Sequence, residues 1–95
     1  MKELDAIRLE LDSVDREIVA LFEKRMNLAR EVAAYKIAHG LPVLDQSREN
    51  IVLDSRVSML KDGHWAPSLR CLYEEIMRLS RQEQQRILKE AEEHA

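Results

Sequence analysis

Apolar residues in the first part of the chain fall at Leu4, Ile7, Leu11, Val14, Ile18, Leu21, Leu28, Val32 and Tyr35. This three-four spacing predicts one long helix with a coiled-coil-like seam, uninterrupted because no Gly or Pro precedes Gly40 and Pro42. A C-cap glycine followed by a proline that cannot continue the helix ends it there, so helix one is expected over about 4–38. After a loop from His39 to Leu44, Asp45 is a good N-cap for a second helix over about 46–61 that buries Ile51, Leu53, Val57 and Leu60. Asp62-Gly63 breaks the chain, and Pro67 suits the first turn of a third helix. That helix, expected over about 67–92, carries Leu69, Leu72, Tyr73, Ile76, Leu79, Ile87 and Leu88 at helical period. The predicted fold class is all-α, with three helices, long-short-long, in a single domain over 1–95.

At 1.5 Å of rise per residue helix one is about 50 Å long, whereas a compact chain of 95 residues has a radius of gyration of about 12 Å. The helix overhangs its own domain, and two further helices cannot cover its seam. A second copy of the long helix packed alongside buries it most simply, which predicts an intertwined helical-bundle homodimer. A chain this short buries only about two-thirds of the surface it exposes when unfolded, so an enclosed cavity also calls for a second chain.

Composition narrows the classes. With 45% hydrophobic and 35% charged residues but only 2 Gly and 2 Pro, the chain fits a helix-rich fold rather than a disordered or sheet-based one. Fifteen Lys+Arg against 18 Asp+Glu give a net charge of −3, and interleaved charges leave no basic stripe for nucleic acid. The single Cys71 permits no internal disulfide, and His39, His64 and His94 lack metal-ligand spacing, so no structural metal is expected. The opening MKELDAIRLELD has no signal-peptide core, and no long apolar run follows. A cytoplasmic protein with no membrane partner is expected.

The informative positions are those that break the apolar pattern. Arg25 stands in the seam of helix one between Leu21 and Leu28, where Leu or Ile is expected. Burying a guanidinium is costly without an anion, so Arg25 either pairs with a Glu of another helix or faces an anionic ligand. Ser80 and Gln84, four residues apart, stack on one face of helix three between Ile76 and Ile87 or Leu88. The serine can bond its own backbone and the glutamine can sit at a core margin; beside Arg25 both also read as donors of a site. Lys36 lies eleven residues after Arg25 and projects from nearly the same face. Arg8, beside the seam, reaches the middle of a partner helix in an antiparallel-like pairing. Alone, Arg8 and Lys36 are also ordinary flank charges. In the first turn of helix two, Glu49 and exposed N–H groups accompany Arg48, which opposes the helix macrodipole and so suggests a task other than capping.

The pattern of Ile7-Arg8 ahead of Val14-Asp15 and Ile18, Glu23-Lys24-Arg25 with Leu28-Ala29, Val32 through Lys36, Pro42-Val43, Asp45 with Arg48-Glu49, and Ser80 with Gln84 resembles the all-helical class of chorismate mutase. The resemblance runs from Leu4 to about Leu88. It implies an isomerase that rearranges chorismate to prephenate in phenylalanine and tyrosine biosynthesis. It further implies an intertwined homodimer with two equivalent sites, each completed by Arg8 of the other chain. In such a site Arg25 and the partner's Arg8 hold the two carboxylates, assisted by Arg48 and Ser80. Lys36 and Gln84 donate to the ether oxygen whose C–O bond breaks, while Glu49 and the backbone near Asp45 meet the ring hydroxyl. No metal or organic cofactor is implied.

The chemistry suits these residue types, because a unimolecular pericyclic rearrangement needs no nucleophile and no proton transfer. Cationic clamps hold the compact conformer, and fixed donors stabilise the oxygen that becomes electron-rich. Two other readings compete. An isochorismate-pyruvate lyase looks like the same scaffold eliminating pyruvate, though Asp45, Glu49 and Ser80 favour the mutase. A non-catalytic helical dimerisation or effector-binding module has Arg25 satisfied internally, and there Arg25→Leu leaves stability level or improved.

Overall fold

The computed structural model describes residues 2–95; Met1, the first residue of the domain expected over 1–95, lies outside the described residues. The elements in chain order are α1 (Leu4–Ala38), α2 (Gln46–Ser58), a 3₁₀ turn (Gly63–Trp65) and α3 (Ala66–Glu93). No strand occurs among the described residues.

Each boundary has a local cause. At the end of α1, Gly40 takes a positive φ of 64°. The Leu41 N–H then reaches the Lys36 carbonyl at 2.9 Å and the Gly40 N–H reaches that of Ile37 at 3.4 Å, the paired bonds of a Schellman cap. Asp45 opens α2, its carboxylate accepting from the Arg48 N–H at 3.0 Å. The second helix ends at Ser58 rather than near Lys61. Its last carbonyls are drawn off by serines: the Ser55 hydroxyl donates to Val52 at 3.1 Å and the Ser58 hydroxyl to Ser55 at 2.6 Å. The following amides, Met59 to Arg56 and Leu60 to Val57, tighten to i−3 bonds, the usual sign of a closing turn. Asp62 then caps the 3₁₀ turn through the His64 N–H at 2.9 Å, and Pro67 sits in the first turn of α3, where no donor is lost.

The third helix packs across both α1 and α2, and the core of one chain is small: Ala29, Ala33, Val43, Val52 and Met77. Two details differ from the apolar pattern. On α2 the buried residue is Val52, while Ile51 is 58% exposed and Leu53, Val57 and Leu60 are half-buried. On α3 the buried stripe is Met77, Ser80 and Gln84; Leu72 is exposed and the remaining expected core positions are half-buried. The packed face of α3 is thus centred on its polar pair, one position round from the apolar stripe, because the chain folds a cavity there rather than a dry core.

The first part of α1 has no cover from its own chain. Every residue from Lys2 to Lys24 is exposed, the seam residues Ile7 and Leu21 by 40% and 63%. The chain accordingly measures 60 × 26 × 14 Å with a radius of gyration of 17.1 Å, well above the roughly 12 Å of a compact chain of this length. Among the described residues, no helix is long and apolar enough to cross a membrane.

Candidate active site

All three helices and the loop after α1 converge on one cavity of about 330 Å³, within the range of small-molecule sites. The second half of α1 supplies Arg25, Ala29, Val32 and Lys36, spaced so that one face looks inward for three turns. Small Ala29 and Ala33 are buried against α3, which lets the helices approach while the long cationic side chains flank the space. Val43 and Asp45 close the end nearest the Schellman cap; Arg48, Glu49 and Val52 enter from α2, and Met77, Ser80, Arg81 and Gln84 from α3.

Seven of the eight candidate positions therefore line the same space: Arg25, Lys36, Asp45, Arg48, Glu49, Ser80 and Gln84. Arg8 does not. It is on the uncovered part of α1, with its side chain 65% exposed and its guanidinium 3.9 Å from Asp5. Arg81 lines the cavity too, although the apolar stripe gave no reason to single it out. Its spacing did hold the signal, four residues after Met77 and three before Gln84 on the buried face.

The hydrogen bonds fix the side chains in distinct ways. Lys36 donates from Nζ to the Val43 carbonyl at 2.6 Å, which aims the ammonium across the mouth of the loop. Gln84 donates from Nε2 to Ser80 Oγ at 3.1 Å, one turn away on α3. Its other amide atom, Oε1, is buried without a partner. Asp45 is engaged as the α2 cap and also accepts from the Ser47 hydroxyl at 3.4 Å. Glu49 is ion-paired with Arg81 across the α2–α3 contact.

Electrostatically the cavity differs from the rest of the chain. Among the described residues no carboxylate oxygen lies within 4.0 Å of the side-chain nitrogens of Arg25, Lys36 or Arg48. The internal Glu partner that a purely structural Arg25 requires is thus absent among the described residues. Outside the cavity several cations are neutralised on the surface. Arg78, for example, hydrogen-bonds Glu75, which holds that exposed carboxyl below its usual range and the guanidinium above its own. Arg16, Lys24, Arg56, Lys61 and Lys89 stand apart from any carboxylate among the described residues but line no cavity with other cations. Four cationic against two anionic side chains line the cavity, a local surplus of two positive charges in a chain of net charge −3. Arg25 and Lys36 are half-buried and Arg48 is exposed at the rim; partly buried cations without counter-ions call for an anion, and a dianion balances this surplus.

The sequence comparisons point the same way. The T-protein of Haemophilus influenzae is 43% identical over 56 residues, covering 59% of this chain and 15% of that protein. A chorismate mutase of Methanocaldococcus jannaschii is 32% identical over 62 residues, covering 65% of this chain and 63% of the relative. A 4-amino-4-deoxychorismate mutase of Streptomyces venezuelae is 35% identical over 52 residues, 55% of this chain and 50% of the relative. The chain thus matches less than two-thirds of the length of each. The sequence model of chorismate mutase type II matches residues 7–85, a span that contains every candidate residue. With that match over most of its length, the chain belongs to the chorismate mutase type II family.

Proposed function

We propose that this chain is a chorismate mutase, an isomerase that converts chorismate to prephenate within phenylalanine and tyrosine biosynthesis. The observation that carries the reading is the convergence of Arg25, Lys36 and Arg48 on one cavity, without carboxylate partners among the described residues. Chorismate is a dianion, and its two carboxylates match the charge surplus of the walls.

In this reading Arg25 and the partner's Arg8 bind the two carboxylates, assisted by Arg48 and Ser80. The partner's Arg8 completes the clamp in a homodimer whose interface is the exposed seam of α1. An apolar stripe of that length is costly to leave in water, and a second α1 laid along it brings an arginine from near the start of one helix toward the middle of the other. Lys36, held by the Val43 carbonyl, and Gln84 donate to the ether oxygen. Rotating the Gln84 amide by 180° lets the Ser80 hydroxyl donate to Oε1 and leaves the Nε2 donor for the substrate, which resolves the orphaned atom. Glu49 and the backbone near Asp45 receive the ring hydroxyl.

The barrier falls because binding selects the compact conformer and because donors already in place meet charge that develops on the breaking C–O bond. No side chain has to gain or lose a proton. The test is the loss of chorismate absorbance on adding purified protein, with prephenate and pyruvate measured separately. Stoichiometric prephenate is the expected result; pyruvate as the product, or no consumption, sinks the reading.

A further inference from the structure

Arg81 is, among the described residues, the one charged wall residue that the proposed chemistry leaves without a task. Among the described residues its ion pair with Glu49 is the only one made between two residues lining the cavity. It joins positions 32 apart in sequence, one in the first turn of α2 and one in the middle of α3. The Glu49 side chain is 17% exposed and that of Arg81 31%, so the contact is more shielded than the Arg78–Glu75 and Arg86–Glu90 pairs within α3. A structural clamp between two helices does not require a carboxylate that faces a ligand space; here the carboxylate is a wall of that space.

We propose that Arg81 is a positioning residue that sets substrate choice at the ring substituent. It holds the Glu49 carboxylate in one place and compensates its charge, so this wall selects a neutral hydroxyl over a cationic amine. The inference rests on the chorismate reading above. A carboxylate in contact with a guanidinium keeps lone pairs that accept from an O–H, whereas its long-range attraction for a second cation is cancelled. An allylic amine, protonated at neutral pH, meets an ion pair with no net charge and, beyond it, a like charge that repels it. Without Arg81, Glu49 is a bare, partly shielded anion that an ammonium satisfies better than a hydroxyl does.

The experiment compares chorismate with its analogue carrying an amino group in place of the ring hydroxyl, using the full chain with Arg81 intact, Arg81→Lys and Arg81→Met. The hydroxyl sits on the ring carbon next to the ether-bearing one, but its own bonds neither break nor form, so its contact acts in ground and transition states alike. Arg81→Met is therefore expected to raise KM for chorismate severalfold with little change in kcat. It is also expected to lower the preference for hydroxyl over amine, as a ratio of kcat/KM, by at least about tenfold. Arg81→Lys keeps the charge and is expected to retain most of the preference. A merely structural Arg81 moves both substrates together and leaves the ratio unchanged, which overturns the inference.

Should Arg81→Met lose its helical circular dichroism, Glu49→Gln carries the same test with Arg81 intact. The uncompensated guanidinium then repels the amine, and the preference for hydroxyl rises at least about tenfold; an unmoved ratio overturns the inference equally. An unsubstituted protein that consumes chorismate while the ratio stays fixed in the variants overturns the role of Arg81 alone. A protein that consumes neither compound overturns both this inference and the proposed function.

Discussion

Gln84 and Ser80 are joined by a 3.1 Å hydrogen bond on the buried face of α3, and the free end of that amide has no protein partner. An amide is neutral at every ordinary pH, so a donor at position 84 imposes no acid requirement on the reaction. A glutamic acid of nearly the same shape donates only while protonated. We therefore predict that Gln84→Glu confines turnover to the acid side, with activity lost as pH rises through the carboxyl's titration. The pH profile of kcat/KM checks this, and a profile identical to that of the unsubstituted protein removes Gln84 from contact with the reacting oxygen.

Lys36 offers a second test because its ammonium is aimed by the Val43 carbonyl rather than by a carboxylate. Lys36→Ala removes one neutral-acceptor hydrogen bond, which costs about 1 kcal/mol of stability, and one transition-state donor, which costs about 10²- to 10³-fold in turnover. The prediction is a folded protein with unchanged helical circular dichroism and activity reduced by at least that factor. Near-normal turnover in the folded variant counts against the assignment.

Much of the architecture was legible from the chain alone, and the exceptions have physical causes. The bounds of α1 follow from seam periodicity and from Gly40, whose positive φ is a backbone property that a glycine announces. The early end of α2 was not legible, since Ser55 and Ser58 look like ordinary helical surface residues until their hydroxyls are seen to take the Val52 and Ser55 carbonyls. Arg25, Ser80 and Gln84 stood out because they interrupt an apolar pattern. Arg81 did not, because an arginine between Ser80 and Gln82 breaks no apolar pattern; its task depends on Glu49, 32 residues away in sequence. The place of Arg8 follows from no contact within one chain, and only a second chain gives it a site to enter.

The charge surplus of the cavity predicts a ligand effect independent of turnover. A bicyclic dicarboxylate that mimics the transition state binds only the folded protein. At about 100 times its dissociation constant it should stabilise the fold by roughly 2.7 kcal/mol, read as a raised Tm that increases with ligand concentration. Arg25→Leu is expected to abolish the response while leaving a cooperative unfolding transition. A neutral diester of the same bicycle should give no shift in either protein. An absent response to the diacid supports the non-catalytic helical module instead.

Arg8 supplies the sharpest test of a shared site. If each cavity takes Arg25 from its own chain and Arg8 from the other, Arg8→Ala and Arg25→Ala homodimers are both impaired, each lacking one clamp in both sites. Coexpression with different affinity tags isolates the heterodimer of the two variants. One of its sites then lacks both arginines, while the other joins an intact Arg25 to the partner's Arg8. Two-fold symmetry makes those sites equivalent in the parent dimer, so the heterodimer should recover about half of the parental activity per dimer. A single-chain site predicts no recovery, because no chain in the mixture carries both arginines, whereas an unimpaired Arg8→Ala homodimer would place Arg8 outside the clamp.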